Sequence, residues 1–234
     1  LFFDYIDGGS YAERTLAANT AAFSKVSLRQ RVLRDVSNLE TGVDLFGARC
    51  SMPLVLAPVG MAGLYARRGE AQAARAAAKA GVPLCLSTLS ICGLQEIAKT
   101  APPWFQLYVL KDRGYMRELI ARAKAAGSPV LVFTVDLPVP GARYRDVRSG
   151  LFGGGLSSRL RLALDGATHP GWLWDVWING RPHSFENVAE AVGKGAGFAD
   201  FWVWVRENFD ATVTWDDLAW IREAWGGPIV IKGI

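Results

Sequence analysis

Apolar residues along this chain fall into short unbroken runs, and three of the runs are introduced by the same punctuation. A helix-like segment closes on Gly, a Pro follows within two residues, and an apolar stretch begins. Ala80-Gly81-Val82-Pro83 leads into Leu84-Cys85-Leu86-Ser87, and Ala126-Gly127-Ser128-Pro129 leads into Val130-Leu131-Val132-Phe133-Thr134. Gly226-Gly227-Pro228 leads into Ile229-Val230-Ile231-Lys232. Glycine supplies the left-handed conformation at a helix C-terminus. Proline forbids continuation of the helix and suits the first residue of a strand. The runs do not alternate apolar with polar, which predicts strands buried on both faces of a parallel sheet.

Two further runs read as strands, Pro53-Leu54-Val55-Leu56-Ala57 and Trp104-Phe105-Gln106-Leu107. The predicted strands are then 53–57, 83–87, 104–107, 129–134 and 228–232. Helices are predicted from Arg68 to Ala80, which is Ala-rich, and from Arg113 to Ala126, with Asp112 as N-cap. A third runs from Leu218 to Trp225 behind Thr214-Trp215-Asp216-Asp217, which has the form of a capping box. Strands alternating with helices imply βα units. Either an open doubly wound sheet or a closed (β/α)8 barrel satisfies that rhythm. No G-x-G-x-x-G follows the first strand, which weakens the dinucleotide-binding version. Polar residues end the strands (Ser87, Gln106 with Tyr108, Thr134 with Asp136, Lys232), and a barrel gathers such residues on its catalytic rim. A full barrel takes about 250 residues and eight strands. The expected fold is therefore an α/β TIM barrel of which about five strands are present. Its expected divisions are an N-terminal segment 1–50, strands one to four in 51–149, a long connection 150–210, and a helix with strand five in 211–234.

Composition narrows the function classes. Twenty-six basic against 22 acidic side chains leave a net charge of +4 on 234 residues. This is too weak a bias, without any Lys/Arg run, to point to nucleic acid. The three cysteines, Cys50, Cys85 and Cys92, form no C-x-x-C pair and read as buried free thiols of a reducing compartment. No metal-ligand spacing, secretion signal or membrane-spanning apolar stretch is visible.

Six ordered segments carry a more specific resemblance. They are Phe3-Asp4-Tyr5-Ile6-Asp7-Gly8-Gly9, Ala57-Pro58-Val59-Gly60-Met61, Trp104-Phe105-Gln106-Leu107-Tyr108, Phe133-Thr134-Val135-Asp136, Pro140-Gly141-Ala142-Arg143-Tyr144-Arg145-Asp146 and Ile231-Lys232-Gly233. Together they resemble the FMN-dependent L-2-hydroxy-acid dehydrogenase family along the whole chain. Thr168-His169-Pro170 and Asn179-Gly180-Arg181-Pro182-His183 resemble its L-lactate-oxidising branch. The resemblance implies FMN as cofactor, met by Pro58, Val59, Gly60, Ser87, Gln106, Thr134 and Lys232. A fixed cation such as Lys232 would stabilise charge developing on the reduced ring. It implies that Tyr5 and Arg143 hold the substrate carboxylate and that Tyr108 stands at the hydroxyl side. Asp136 would orient and charge a catalytic histidine, raising its pKa for proton abstraction. Tyr108, Asp136 and Lys232 are thus the expected catalytic residues.

That histidine lies in an S-N-H-G-G-R segment in the family, and these 234 residues contain none. The two histidines present, His169 and His183, fall in the long connection and are expected to serve local packing. The chain is accordingly expected to be the front part of the enzyme, inactive alone. The implied reaction is oxidation of L-lactate to pyruvate with electrons passed to a quinone. Mandelate or glycolate as substrate, an oxidase, an inactive barrel fragment and an unrelated phosphate-binding barrel remain open.

The connection 150–210 holds Trp172, Trp174, Trp177, Trp202 and Trp204. Between Arg143 and Arg181 lie six arginines against three aspartates. Tryptophan favours membrane interfaces and arginine favours anionic headgroups. One expectation is peripheral contact with the cytoplasmic face of the bacterial inner membrane; the other is a loop folded over the active site with its tryptophans inward. A homo-oligomer is expected at full length.

Overall fold

The computed structural model describes residues 2–139, 141–150, 155–193 and 198–234. The chain divides into two compact units, one of residues 1–41 with 141–165 and one of 42–140 with 166–234.

The larger unit is built on a four-stranded parallel sheet, preceded by a hairpin. The hairpin pairs β1 (Val43–Leu45) with β2 (Ala48–Cys50). Its two-residue turn, Phe46-Gly47, has positive φ at both positions, the geometry that matches strand twist. The sheet follows as β3 (Cys85–Ser87), β4 (Trp104–Leu107), β5 (Leu131–Thr134) and β6 (Ile229–Lys232), in that spatial order. Sequential parallel order with helices between is the βα-unit arrangement expected from the sequence.

The Gly–Pro punctuation acts as predicted. Helix Gly69–Ala80 closes on Gly81 at φ +68°, and helix Asp217–Trp225 closes on Gly226 at φ +71°. Asp112 caps Arg113–Ala125 by accepting from Tyr115 N at 2.9 Å. Before Asp217–Trp225 half of the capping box forms, with Thr214 N donating to Asp217 Oδ2 at 3.0 Å.

One predicted strand is corrected. Residues 53–57 make only a single parallel bridge, Leu56 to Leu84. Pro53 and Pro58 bring no N–H donors, and Leu54 N is spent on Met52 O at 2.8 Å. Only Leu56 keeps both ladder bonds, N to Pro83 O and O from Cys85 N, each 2.9 Å.

Register decides what the sheet presents. Ser87 is level with Gln106, Gln106 with Val132, and Thr134 with Lys232. Side chains alternate along a strand and match across a ladder. Ser87, Gln106, Thr134 and Lys232 therefore share one face, above Cys85, Trp104, Val132 and Val230. The last four belong to one apolar cluster that also takes in Leu45, Val55 and Val130, and Phe46 meets Trp104 edge-on at 5.4 Å. On the opposite face, Leu86, Phe105, Leu107, Leu131 and Phe133 are each 1% exposed or less. The buried Ile97, Met116, Leu119, Ile120 and Ala123 come from the helices between the strands.

The sequence pattern predicts no helices in the connection after β5, yet its described part is mostly helical, apart from turns and loop over 179–188. It comprises Leu156–Thr168, Pro170–Trp172, a π-helical turn Leu173–Ile178, Ala189–Val192 and Phe198–Asn208. Residues 151–154 and 194–197 of the expected connection, and Pro140 of the fourth-strand loop, lie outside the described residues. From residue 166 onward the connection packs within the larger unit. Val176, Phe185, Val188, Phe201, Val205 and Phe209 are buried there, and residues 208–210 run antiparallel beside 109–111.

Candidate active site

The C-terminal ends of β3 to β6 gather a polar cluster on top of the apolar floor. Ser87, Gln106 and Thr134 are all buried, at 2%, 1% and 3% exposure. Ser87 Oγ donates to Gln106 Oε1 at 3.1 Å and accepts from Leu89 N at 3.1 Å. Thr88 N also donates to Gln106 Oε1, at 3.3 Å, and Thr88 Oγ1 donates to the Gln106 carbonyl. These bonds fix the amide plane and leave its other end unmatched. Gln106 Nε2 and Thr134 Oγ1 are buried and have no partner among the described residues. A buried polar group without a partner costs about 1–3 kcal/mol, so two on the same face of neighbouring strands mark a place where an added polar molecule would complete the bonding.

The Pro58–Val59–Gly60 turn follows the Leu56 bridge. Its anchor is Met61, which holds φ +60° and donates its N–H to Leu89 O at 3.0 Å. A Cβ placed on Gly60 would have as its nearest neighbours Leu89 O at 3.4 Å, Leu89 Cβ at 3.7 Å and Ser87 Oγ at 3.9 Å. These are ordinary contact distances, and through Ser87 Oγ this side of the turn adjoins the polar cluster.

Lys232 and Asp136 meet at 3.3 Å between Nζ and Oδ2, each roughly two-fifths exposed. The sequence reading gave Asp136 a histidine; in the structure its carboxylate meets this ammonium. Gly233 makes the approach possible. It holds φ +103°, and a Cβ there would overlap Asp136. Beneath them, burial pushes the Cys85 thiol up to about 12, against the pull of Lys232, so Cys85 stays protonated. All three cysteines are buried free thiols, as expected.

Tyr108 lies beyond the end of β4, and its ring packs against Phe209 at 5.1 Å. Tyr5 and Arg143 belong to the smaller unit, where they come together. The Arg143 guanidinium stands 4.4 Å from the Tyr5 ring centroid, donates to the Tyr5 carbonyl, and pairs with buried Asp146. Burial raises the Tyr5 pKa, Arg143 lowers it in part and Asp146 raises it, so the phenol remains a proton donor. In the same unit, Arg145 pairs with Asp7 and Glu13, and Glu13 Oε1 accepts from Gly9 N at 3.1 Å. That ties the opening motif to the Arg143 segment.

His183 stacks on Trp177 at 4.7 Å, and its Nε2 lies 2.9 Å from Val176 O. His169 Nδ1 lies 3.1 Å from Thr168 Oγ1. Both are taken up locally, as expected. The tryptophans divide between the two expectations for the connection. Trp172 donates to Leu64 O at 2.8 Å and stacks with Trp177, while Trp174 is 65% exposed. The sequence pattern gives no role to Phe209 or Asn187, and marks Gly233 only as part of the Ile231-Lys232-Gly233 segment and not by its approach to Asp136. A glycine after a lysine at a strand end is a readable signal for Gly233, whereas nothing local marks the other two.

Sequential parallel βα units with polar strand ends over an apolar floor are the arrangement of a TIM-barrel-like α/β fold. Residues 1–234 match the family model for FMN-dependent dehydrogenases, and the chain belongs to that family. It is 56% identical to the L-lactate dehydrogenase of Caulobacter sp. (strain K31) and 56% identical to that of Haemophilus influenzae (strain PittEE). Each match covers 99% of this chain and 61% of the relative, so the chain spans about three-fifths of the length of these curated relatives. Among solved structures it is similar to a monotopic membrane protein, (S)-mandelate dehydrogenase, with TM-score 0.89 and 30% identity over 100% of this chain and 62% of that one. It is also similar to mandelate oxidase with (S)-4-hydroxymandelic acid, with TM-score 0.79 and 35% identity over 99% and 59% of the two chains.

Proposed function

We propose that the protein of which these residues form part binds FMN at the C-terminal rim of the parallel sheet and oxidises L-lactate to pyruvate. The observation that carries the cofactor reading is the pair of buried, unmatched atoms, Gln106 Nε2 and Thr134 Oγ1, in the cluster that the Gly60 turn adjoins through Ser87. A flavin ring edge offers the complementary donors and acceptors. Pro58, Val59, Gly60, Ser87, Gln106, Thr134 and Lys232 would hold it. When bound, FMN supplies the two-electron acceptor for the α-hydrogen of the substrate.

The side chains of this chain do the rest by position and charge. Ser87 and Thr88 fix the Gln106 amide, so its free end is preorganised for a ring edge. Lys232 places a cation at the end of β6, where it favours negative charge on a neighbouring group. Asp136 stabilises positive charge at the rim, the part required beside a base that takes the substrate's hydroxyl proton. Arg143, backed by Asp146 and stacked on Tyr5, offers a guanidinium for a carboxylate. Tyr108, steadied on Phe209, supplies a hydroxyl for positioning substrate. The proton acceptor itself is assigned to the family's S-N-H-G-G-R histidine.

L-lactate is preferred over mandelate because the L-lactate dehydrogenases above are 56% identical to this chain, against 30–35% for the mandelate enzymes. Dye-coupled turnover by the full-length protein on L-lactate, D-lactate, (S)-mandelate and glycolate tests this. Preference for L-lactate is expected, and preference for mandelate or glycolate would reassign the substrate. We further propose a quinone acceptor and peripheral contact of the connection 150–210 with the cytoplasmic face of the inner membrane. Exposed Trp174 and the likeness to a monotopic membrane protein support the contact. No helix among the described residues is long and apolar enough to cross a membrane. Sedimentation with anionic liposomes at low salt should carry the full-length protein down, and full recovery in the supernatant would reject the contact.

A further inference from the structure

The loop that follows β3 lies almost wholly inside the protein. Thr88, Ser90, Ile91 and Cys92 are each 1% exposed or less. Buried polar groups must find partners in the interior, and two backbone groups at the ends of this loop and one hydroxyl within it find them on one residue of the distant connection. Asn187, 1% exposed, accepts from Leu94 N through Oδ1 at 2.9 Å. Its Nδ2 donates to the Ser87 carbonyl at 3.2 Å and to Ser90 Oγ at 2.9 Å. Ser90 Oγ spends its own proton on Cys92 O at 2.7 Å, so toward Asn187 it can only accept. The Asn187 carbonyl is held separately, by Tyr115 Oη at 3.1 Å and Arg122 Nη2 at 2.6 Å from the helix Arg113–Ala125. The side chain therefore grips the β3 loop, while the main chain is bolted to a helix.

We propose that Asn187 is a positioning residue for the cofactor site, setting Ser87 and through it the Gln106 amide. The connection after β5 is then part of the cradle as well as a peripheral contact. The inference rests on the flavin reading above. Only an amide meets this set of partners: one acceptor for Leu94 N, and two donors for the Ser87 carbonyl and Ser90 Oγ. Asn187→Asp keeps size and the Leu94 bond but turns a carboxylate oxygen toward two acceptors. Tyr115→Phe removes one bond to the main-chain half and leaves the side-chain grip intact.

The test uses the full-length protein, titrated with FMN by fluorescence, with visible circular dichroism of the bound flavin at full occupancy. Asn187→Asp should weaken FMN about tenfold, the effect of one buried polar group losing its partner, and should change the visible dichroism. Tyr115→Phe should leave both at wild-type values. Should Asn187→Asp fail to fold, Ser90→Ala removes the acceptor for Asn187 Nδ2 together with the Ser90 Oγ bond to Cys92 O, and should weaken FMN about threefold to tenfold. Wild-type affinity and dichroism in the folded variant, or a loss of thermal stability with unchanged dichroism, would overturn the proposal. A wild-type full-length protein that binds no FMN overturns the flavin reading first, before any substitution is examined.

Discussion

Thr134→Val separates a cofactor-binding hydroxyl from a structural one by the sign of its effect. Thr134 ends β5 at 3% exposure, and its Oγ1 has no partner among the described residues. Without a bound molecule the fold buries an unmatched hydroxyl, at a cost of about 1–3 kcal/mol. Valine has nearly the same shape and suits a buried strand. The substitution should therefore stabilise the FMN-free full-length protein by about 1 kcal/mol, taking the low end of that range. With FMN bound the hydroxyl has a partner, and its loss removes a net hydrogen bond of about 0.5–1.5 kcal/mol. Affinity for FMN should fall roughly twofold to tenfold, and the gain in stability should shrink or reverse at saturating FMN. Urea denaturation with and without FMN, compared through the midpoint at constant slope, reads both effects. If Thr134→Val destabilises the FMN-free protein, the hydroxyl is already satisfied there and the argument fails. Equal stabilisation of both forms would refute it as well, since the hydroxyl would then do nothing for the cofactor.

Two further outcomes follow from the same geometry. Gly233→Ala must hold φ near +103° and push against Asp136, so a loss of about 2 kcal/mol is expected for the strained backbone; a neutral urea midpoint would contradict the close approach. Arg113 pairs with both Asp210 and Asp217. Asp210 is held below its ordinary value of 3.8, first by the Thr212 hydroxyl and further by Arg113. Asp217 is held below 3.8 first by the Thr214 N–H, with Arg113 adding. A depressed carboxylate contributes stability that is complete above 3.8 and lost as pH falls through the lower folded value. The advantage of wild type over Arg113→Met should therefore shrink as pH falls below 3.8, and an advantage constant down to about pH 2 would contradict the pairing.

Local signals carried much of this fold into the sequence. Gly81, Gly226 and Asp112 act through their own backbones or near neighbours, so the helices Gly69–Ala80, Arg113–Ala125 and Asp217–Trp225 and strands β3 to β6 could be placed from the pattern alone. The segment 53–57 misled because its apolar content suggested a strand while Pro53 and Pro58 removed the donors a ladder needs. The connection was unreadable for a different reason. Its helices bury Val176, Phe201 and Val205 against the larger unit, and packing of that kind has no short-range signature. The rim was legible because a polar residue closing an apolar strand has few other uses, and register then put Ser87, Gln106, Thr134 and Lys232 on one face. Asn187 was not legible at all. Its side-chain partners lie 93, 97 and 100 positions away, and no local pattern around a single Asn marks them.

The most direct measurement is a crystal structure of the full-length protein with FMN bound. The flavin ring is expected at the ends of β3 to β6, with Gln106 Nε2 and Thr134 Oγ1 each within hydrogen-bond distance of it and the Gly60 turn against its face. FMN seated elsewhere, or those two atoms still without partners beside a bound flavin, would contradict it.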